Sequence, residues 1–437
     1  MEECIALLLL ASGAYFTGKT RFVQVRRFLP SLAIFFRGAG QRDGRCVSPF
    51  EAASTSLAAS LGAGNIAGVA GALLTGGPGA VFWMWISALL GMALKYVEIL
   101  WAVRFRLRGP NGWYGGPMVY MERGLSPRWH FLAVLFALCG ALAAFGMGNL
   151  AQVNTVAESV KTFFSALFGD LSSSAERRVA FATGVLVALF IALPLLGGSK
   201  RVGRFAALLV PFMSVLYIGG AVLVILQNAA AVLPALRIIV QSAFHPEAAI
   251  GGAAGVTIMQ TFRIGVSRGV FTHEAGLGTS AIAHAAADAA SPEQQALYGI
   301  FEVFLDTIVM CTLTALALLV SGIPLPYGND AVAGALVIDA FATRFGSTGA
   351  SLFLALSLLL FAFSSMLGFS LYGSQCAAYL FGPRAVRPYL FLYIGLCIFG
   401  ALLPLALAWR VSEILNLLMA VPNLIALFLL SRRQHVA

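Results

Sequence analysis

Long uncharged apolar stretches, separated by short segments that hold most of the charged residues, recur along the whole sequence. The stretches 80–93, 131–144, 179–196 and 352–363 contain no charged residue at all. A helix needs about 20 mostly apolar residues to cross a bilayer, and these stretches approach that length with their flanks. The pattern therefore predicts an all-α polytopic membrane protein with the lipid bilayer as its surroundings.

The same pattern predicts about eleven transmembrane helices. They lie at residues 3–18, 49–75, 79–103, 129–164, 177–197, 205–228, 250–284, 296–321, 347–373, 387–407 and 411–431. The first stretch follows Glu2 and Glu3 and precedes Lys19, which favours an uncleaved helix over a signal peptide, because signal peptides carry their basic residues first.

Glycines cluster in the second and the seventh span. The second contains Gly62-Ala63-Gly64-Asn65, and the seventh contains seven glycines between Gly251 and Gly278, with charged residues among them. Each glycine weakens a helix interior by about 1 kcal/mol. Close helix packing through small residues is one explanation, but polar residues at the same places favour two broken helices.

The two glycine-rich spans begin about 200 residues apart, and each opens a block of five spans. An odd number of crossings inserts the two blocks with opposite orientation. Paired interrupted helices in inverted blocks indicate a binding site at the bilayer midplane. The predicted organisation is an extra N-terminal helix and basic loop (1–48), a first five-helix repeat (49–228) and a second (229–437).

Composition supports a membrane protein. Apolar residues make up 59% of the chain and charged residues 11%, against about 45–50% and 25% in soluble domains. Nineteen of the 28 basic residues fall on alternate loops, so the positive-inside rule predicts the N-terminus outside and the C-terminus in the cytoplasm. The net charge of +10 is therefore read as loop charge, and no nucleic-acid partner is expected. The six dispersed cysteines predict free thiols.

Several segments resemble, in order along the chain, the alanine or glycine:cation symporter family. They are GAGNIAGVA at 62–70, GGPGAVFWMW at 76–85, Lys95-Tyr96 with Glu98, GGPM at 115–118, FGMGN at 145–149 with Gln152, GGSKR at 197–201, RGVF at 268–271 with EAGLG at 274–278, Asp306-Thr307, and Met419-Ala420 with Pro422-Asn423-Leu424. The resemblance implies the leucine-transporter fold, with two inverted five-helix repeats. It also implies cation-coupled uptake of small neutral amino acids such as alanine or glycine, across a bacterial-type inner membrane.

The resemblance and the predicted breaks together suggest a substrate site. The free N–H groups of Ala63 and Gly64 are expected to bind the substrate carboxylate, as at other helix N-termini. An amide such as Gln152 adds hydrogen bonds without charge; a purely structural bond between helices is its other reading. The substrate-binding candidates are Ala63, Gly64, Asn65, Ile66, Gln152, Ile264, Ser365 and Phe369.

The family pattern implies sodium as the coupling ion and no other cofactor. Carbonyl groups near Ala58 and Leu61, with the hydroxyls of Ser364 and Ser365, would supply the oxygen ligands that a hard cation prefers. These serines could equally bond their own helical turn. Charges inside a membrane are functional hypotheses by default. The gating or structural candidates are Lys95, Glu98, Arg263, Arg268, Glu274 and Asp306. Lys95 and Glu98, three residues apart, could pair on one helix face.

Departures from the family pattern leave the substrate open. Ile264 stands where the family usually has Phe, Phe369 where it has Trp, Ser365 where it has Thr, and Ala63 where Thr is frequent; Ser374 replaces a usual Glu. Smaller side chains near the pocket leave room for a larger neutral amino acid. Coupling to protons instead of sodium also remains open. An ion channel is the alternative from another class, and an enzyme is disfavoured because HExxH does not occur. The pattern GxSxG occurs once, as GVSRG at 265–269, inside the predicted seventh span.

Overall fold

The structure is a computed structural model that describes residues 2–38, 47–109, 112–245, 257–329, 332–403 and 405–433. These residues are almost entirely helical. Strands β1 (Leu107–Gly109) and β2 (Gly112–Tyr114) pair antiparallel in a short hairpin.

The described residues up to 245 form twelve α-helices. They are α1 (Glu2–Lys19), α2 (Val23–Arg26), α3 (Phe28–Gly38), α4 (Pro49–Ser60), α5 (Ala67–Gly76), α6 (Gly79–Phe105), α7 (Pro117–Gly124), α8 (His130–Phe145), α9 (Ala151–Phe168), α10 (Ser173–Leu195), α11 (Ser199–Gln227) and α12 (Val232–Ser242). A π-helical turn, Gly146–Leu150, joins α8 to α9. A capping box between Ser48 and Glu51, with Pro49 at the first helical position, fixes the start of α4.

The residues described from 257 onward form seven more. They are α13 (Ile258–His273), α14 (Thr279–Ala285), α15 (Pro292–Val303), α16 (Thr312–Val320), α17 (Ala333–Phe381), α18 (Val386–Gly400) and α19 (Leu405–Arg433). A π-helical segment, Phe304–Cys311, joins α15 to α16.

Both predicted breaks are present. The first lies between α4 and α5, where the 3₁₀ turn Ala63–Asn65 replaces the α-helix. The second lies between α13 and α14, where Glu274, Gly276 and Gly278 have φ angles of 56°, 95° and 79°. Glycine adopts positive φ without steric cost, which explains the two glycines of this turn. The glycines predicted at 251–255 lie outside the described residues.

Helices occur at each of the eleven predicted spans, so the all-α polytopic architecture is confirmed. Seven helical segments of the described chain are long and apolar enough to cross a bilayer. The ninth span agrees with its predicted start near 347, because α17 consists of two helices joined at the non-helical Gly346 (φ 69°), and the second of them begins directly after this glycine. The division into repeats at residue 228 and the orientation of the termini stay predictions.

The outer faces of the helices are apolar. Leu193 and Phe190 on α10, and Leu208 and Val215 on α11, are more than 60% exposed. Such a surface suits hydrocarbon rather than water, as the bilayer prediction requires. Cys139, Cys311, Cys376 and Cys397 are free and buried, in agreement with the predicted free thiols.

Candidate functional site

The first break opens the backbone at the centre of the helix bundle. Leu61 closes α4 with an N–H bond to Leu57, and Gly62 continues in an extended conformation. All residues from Leu61 to Ile66 are buried. Buried backbone groups that leave a helix must find other partners, so the partners of this turn define the site.

Asn65 holds the turn in place. Its Oδ1 accepts the N–H of Gly62 at 3.0 Å, and its Nδ2 donates to Asp306 Oδ1 at 2.8 Å and to the Asp306 carbonyl at 3.1 Å. Its own carbonyl accepts the hydroxyl of Thr314 at 2.8 Å. Asn65 therefore joins the break to the π-helical segment that contains Asp306.

Gln152 and Ser365 both lie beside Gly62. A Cβ on Gly62 would lie 2.8 Å from Ser365 Oγ and 3.3 Å from Gln152 Nε2. Gln152 Oε1 also accepts the N–H of Ala63, at a long 3.5 Å. The amide and the hydroxyl thus approach the open backbone closely, and glycine at 62 is what permits the approach.

Oxygen atoms converge on the end of α4. The hydroxyls of Ser364 and Ser365 lie 3.3 Å and 3.2 Å from the carbonyl oxygen of Leu61, and Ser364 also donates to the Phe361 carbonyl at 2.8 Å. Ala58 lies in the last turn of α4 and is fully buried. The group is uncharged and made of oxygens, the ligand type that hard cations prefer.

The structure places two predicted pocket residues away from the turn itself. Ile264 lies against Gly76, whose Cβ would be 3.1 Å from it, at the far end of α5. Ten residues at 1.5 Å each separate Ile66 from Gly76, about 15 Å along the helix. Phe369 packs on Gly148, one helical turn beyond Ser365.

Phe271 and Thr272 occupy the position beside the first break. A Cβ on Gly64 would lie 3.6 Å from the Phe271 ring and 3.6 Å from the Thr272 methyl group. The Thr272 hydroxyl also bonds that of Thr307 at 3.1 Å, and Thr307 donates to Asp306 Oδ2 at 2.8 Å. The end of α13 therefore completes the wall of the site.

Side chains from α6 and α19 hold the second break in place. Glu98 on α6 accepts the N–H of Gly278 at 3.1 Å and the side-chain amide of Asn423. Asn423 also donates to the Gly276 carbonyl at 2.9 Å and accepts the hydroxyl of Tyr120. Glu274 Oε2 accepts the Thr279 hydroxyl at 2.7 Å.

The chain matches the profile of the sodium:alanine symporter family over residues 1–436. The chain belongs to this family. It is 39% identical over 430 residues to the sodium/alanine symporter AgcS of Methanococcus maripaludis, covering 97% of this chain and 91% of AgcS. It is 36% identical over 435 residues to the probable sodium/glutamine symporter GlnT of Bacillus subtilis, covering 99% of this chain and 86% of GlnT.

The fold agrees with that membership. MhsT, solved in complex with L-phenylalanine, superimposes with a TM-score of 0.61 at 15% identity, covering 89% of this chain and 90% of MhsT. This likeness shows the leucine-transporter fold, as the resemblance implied. The sodium:alanine symporter family consists of transporters, so the protein transports solutes across a membrane.

The ion pair of Lys95 differs from the pairing with Glu98 that the sequence spacing suggested. Lys95 Nζ lies 3.2 Å from Glu302 Oε2, with both side chains fully buried, instead of pairing with Glu98. The reason is the close approach of α15, because a Cβ on Gly299 would lie only 3.3 Å from Lys95 Cγ. Helix packing, rather than spacing along α6, selected the partner.

The other charge candidates are dispersed. Arg263 is exposed and Arg268 is half-buried on α13, whereas Glu274 and Asp306 are fully buried. Asp306 meets the first break through Asn65. A gating role for these residues stays a prediction.

Phe271, Thr272, Thr307 and Glu302 were not among the predicted site residues. Glu302 had a signal in the sequence, because it is a second carboxylate inside the predicted eighth span. Thr272 had none, since threonines in membrane helices usually bond their own turn.

Proposed function

We propose that this family member carries a small neutral amino acid such as alanine or glycine together with sodium, by alternating access. The observation that carries the proposal is the first break, where open backbone, amide groups and an uncharged oxygen cluster lie within one helical turn of each other. A zwitterion and a cation need these two kinds of partner. The ion gradient then supplies the driving force, and no other cofactor enters.

The substrate half of the site would use the turn Ala63–Asn65. Its N–H groups suit a carboxylate, and the N–H of Ala63 has only a long bond to Gln152 Oε1 at 3.5 Å. Gln152 can release that bond and offer its amide to the substrate instead. Phe271 and Ile66 would enclose the substrate side chain, because both adjoin the same turn.

The cation half would use the Leu61 carbonyl with the hydroxyls of Ser364 and Ser365. The hydroxyl oxygens of Ser364 and Ser365 lie 3.3 Å and 3.2 Å from the carbonyl oxygen of Leu61. A sodium ion between them would replace weak hydrogen bonds by coordination. The names of the sodium/alanine symporter AgcS and the probable sodium/glutamine symporter GlnT support sodium as the ion.

Two candidate substrates differ in the size of the amino acid side chain. AgcS is named for alanine and GlnT for glutamine, and this chain resembles both. Ala63 and Phe369, in place of the family's usual larger residues, favour some extra room. A larger neutral amino acid is therefore the second candidate.

Purified protein in liposomes should accumulate a labelled small neutral amino acid against its gradient when sodium is higher outside. Equal sodium on both sides should abolish accumulation, because the ion gradient is the only energy source. The measurement compares sodium with choline, each with and without a protonophore. Accumulation that persists without sodium and collapses with the protonophore would assign the coupling to protons instead.

Phe369→Trp should shift selectivity toward glycine and alanine, because Phe369 lies one turn from Ser365 and the larger ring reduces the space there. One methylene in an apolar pocket changes selectivity by about 1–3 kcal/mol. Competition with alanine, serine, valine and glutamine measures the ranking. Ile264→Phe is the matched control, since Ile264 packs at Gly76, and it should leave the ranking unchanged. The same ranking in parent and Phe369→Trp would remove Phe369 from the pocket wall.

A further inference from the structure

A charged cluster lies beside the two breaks and takes no part in the site proposed above. At its centre, the ammonium of Lys95 lies 3.2 Å from Glu302 Oε2 and 3.1 Å from the carbonyl oxygen of His273. Glu302 Oε2 also accepts the hydroxyl of Ser56 at 2.7 Å, and Glu302 Oε1 lies 2.6 Å from His284 Nε2. Every one of these side chains is buried.

The cluster connects pieces of both broken helices. Ser56 belongs to α4, the first half of the first broken helix. His273 ends α13 and His284 lies on α14, the two halves of the second. Gln295 closes the connection, because its side-chain amide lies 2.7 Å from His284 Nδ1 and donates to the Pro49 carbonyl at 3.2 Å.

Lys95 supplies the positive charge that this region needs. Among the residues that the structure describes, it is the one lysine or arginine that is fully buried. Its ion-pair partner Glu302 is fully buried as well. An unpaired charge is very costly to bury, so the Glu302 carboxylate requires a nearby cation.

The partners of Lys95 are those that a metal ion would use. A carboxylate oxygen and a backbone carbonyl at the end of a half-helix are hard oxygen ligands, and the Ser56 hydroxyl adjoins them. An ammonium on a flexible four-carbon stem can replace such an ion, since it is a compact point charge. Gly299 gives the stem the space to reach Glu302.

We propose that the Lys95 ammonium is a built-in cation between the two broken helices, in the place that a diffusible metal ion would otherwise fill. It follows that the protein takes up a cation from solution only at Leu61, Ser364 and Ser365. This inference rests on the proposed sodium coupling at Leu61, Ser364 and Ser365. If the ion pair between Lys95 and Glu302 were purely structural, removing Lys95 would not change how the protein responds to cations in solution.

The test removes the tethered cation and offers a free one. Lys95→Ala deletes the atoms of an n-propylammonium ion, leaving a cavity beside Glu302. Without added cations the variant should unfold at a lower temperature than the parent. Propylammonium chloride, present from solubilisation onward, should restore much of that loss, whereas 1-propanol, which has the shape without the charge, should not.

Sodium gives a second readout on the same variant. Each cation site that exists only in the folded protein adds its own binding free energy to the free energy of unfolding. The slope of melting temperature against the logarithm of sodium concentration, measured at constant ionic strength with choline, should therefore about double in Lys95→Ala relative to the parent. The parent itself should bind amino acid with a sodium Hill coefficient near one.

The matched control is Lys95→Met with Glu302→Gln, which removes both charges and leaves the stem volume. This pair should respond to neither propylammonium nor extra sodium, because no carboxylate remains to be neutralised. The double variant also decides the case in which Lys95→Ala alone fails to fold. If the double variant folds and the single variant does not, the Glu302 carboxylate needs the cation.

Two results would overturn the proposal. One is a Lys95→Ala protein that folds and shows the parent's sodium slope with no gain from propylammonium. The other is a parent whose sodium Hill coefficient is near two. Neither depends on which amino acid is carried, and the propylammonium result stands even if transport is coupled to protons. Failure of the proposed function would appear separately, as a parent that transports without sodium.

Discussion

Replacing Ser365 by alanine should lower the apparent affinity for sodium at least tenfold, with a much smaller effect on amino-acid affinity at saturating sodium. The Ser365 hydroxyl lies 3.2 Å from the Leu61 carbonyl, so a cation between them would lose one of its ligands. Losing about 1.4 kcal/mol of binding free energy is a tenfold loss of affinity, and water cannot easily refill so buried a position.

Ser364→Ala should have the weaker effect, although the two serines are adjacent. The Ser364 hydroxyl donates to Phe361 in its own helical turn at 2.8 Å and lies 3.3 Å from Leu61. Part of its hydrogen-bonding capacity is therefore already used. Successive residues of a helix differ in direction by about 100°, so the two hydroxyls cannot face the same cation equally.

Sodium titrations of amino-acid binding on both purified variants measure this difference. Linkage requires that a variant with weaker sodium binding also binds the amino acid more weakly at low sodium. Two variants that fold, transport and keep the parent's sodium dependence would show that both hydroxyls serve only the helix. Equal and large losses would contradict the stronger role assigned to Ser365.

Replacing Asn65 by alanine should abolish sodium-driven transport and destabilise the protein. The variant leaves the Gly62 N–H without its 3.0 Å acceptor and removes two hydrogen bonds to Asp306, one of them to its carboxylate at 2.8 Å. A hydrogen bond to a charged group contributes about 1.5–3 kcal/mol, and an unsatisfied buried group costs a similar amount. The break should then lose the geometry that the substrate requires.

Asn154→Ala is the matched control for that variant. Asn154 is also fully buried, and its amide donates to the carbonyls of Gly400 at 3.2 Å and Leu403 at 2.6 Å, away from both breaks. Comparable destabilisation with retained amino-acid and sodium affinities is expected. Thermal melting, binding and proteoliposome uptake on both variants separate the two cases. Transport by Asn65→Ala at the parent's rate would contradict the role given to Asn65.

The sequence by itself determined the architecture, because membrane crossing depends on properties that are local in the chain. Length and hydrophobicity place each span, and glycines with positive φ or an open backbone mark the turns at 62–64 and 276–278. The pairing of Ser364 and Ser365 with Leu61 was also predicted, through the family resemblance, and the structure brings these three residues together. Their role in binding a cation stays a prediction.

The tertiary structure alone decided which side chains meet between helices. Lys95 and Glu98 are three residues apart, yet Lys95 pairs with Glu302, because Gly299 brings α15 against α6. Spacing along a helix limits the possible contacts of a side chain but does not choose among the neighbouring helices. Likewise Ile264 and Phe271 lie seven residues, or about two turns, apart on α13. Only the packing of α13 against the first break shows that Phe271, and not Ile264, faces Gly64.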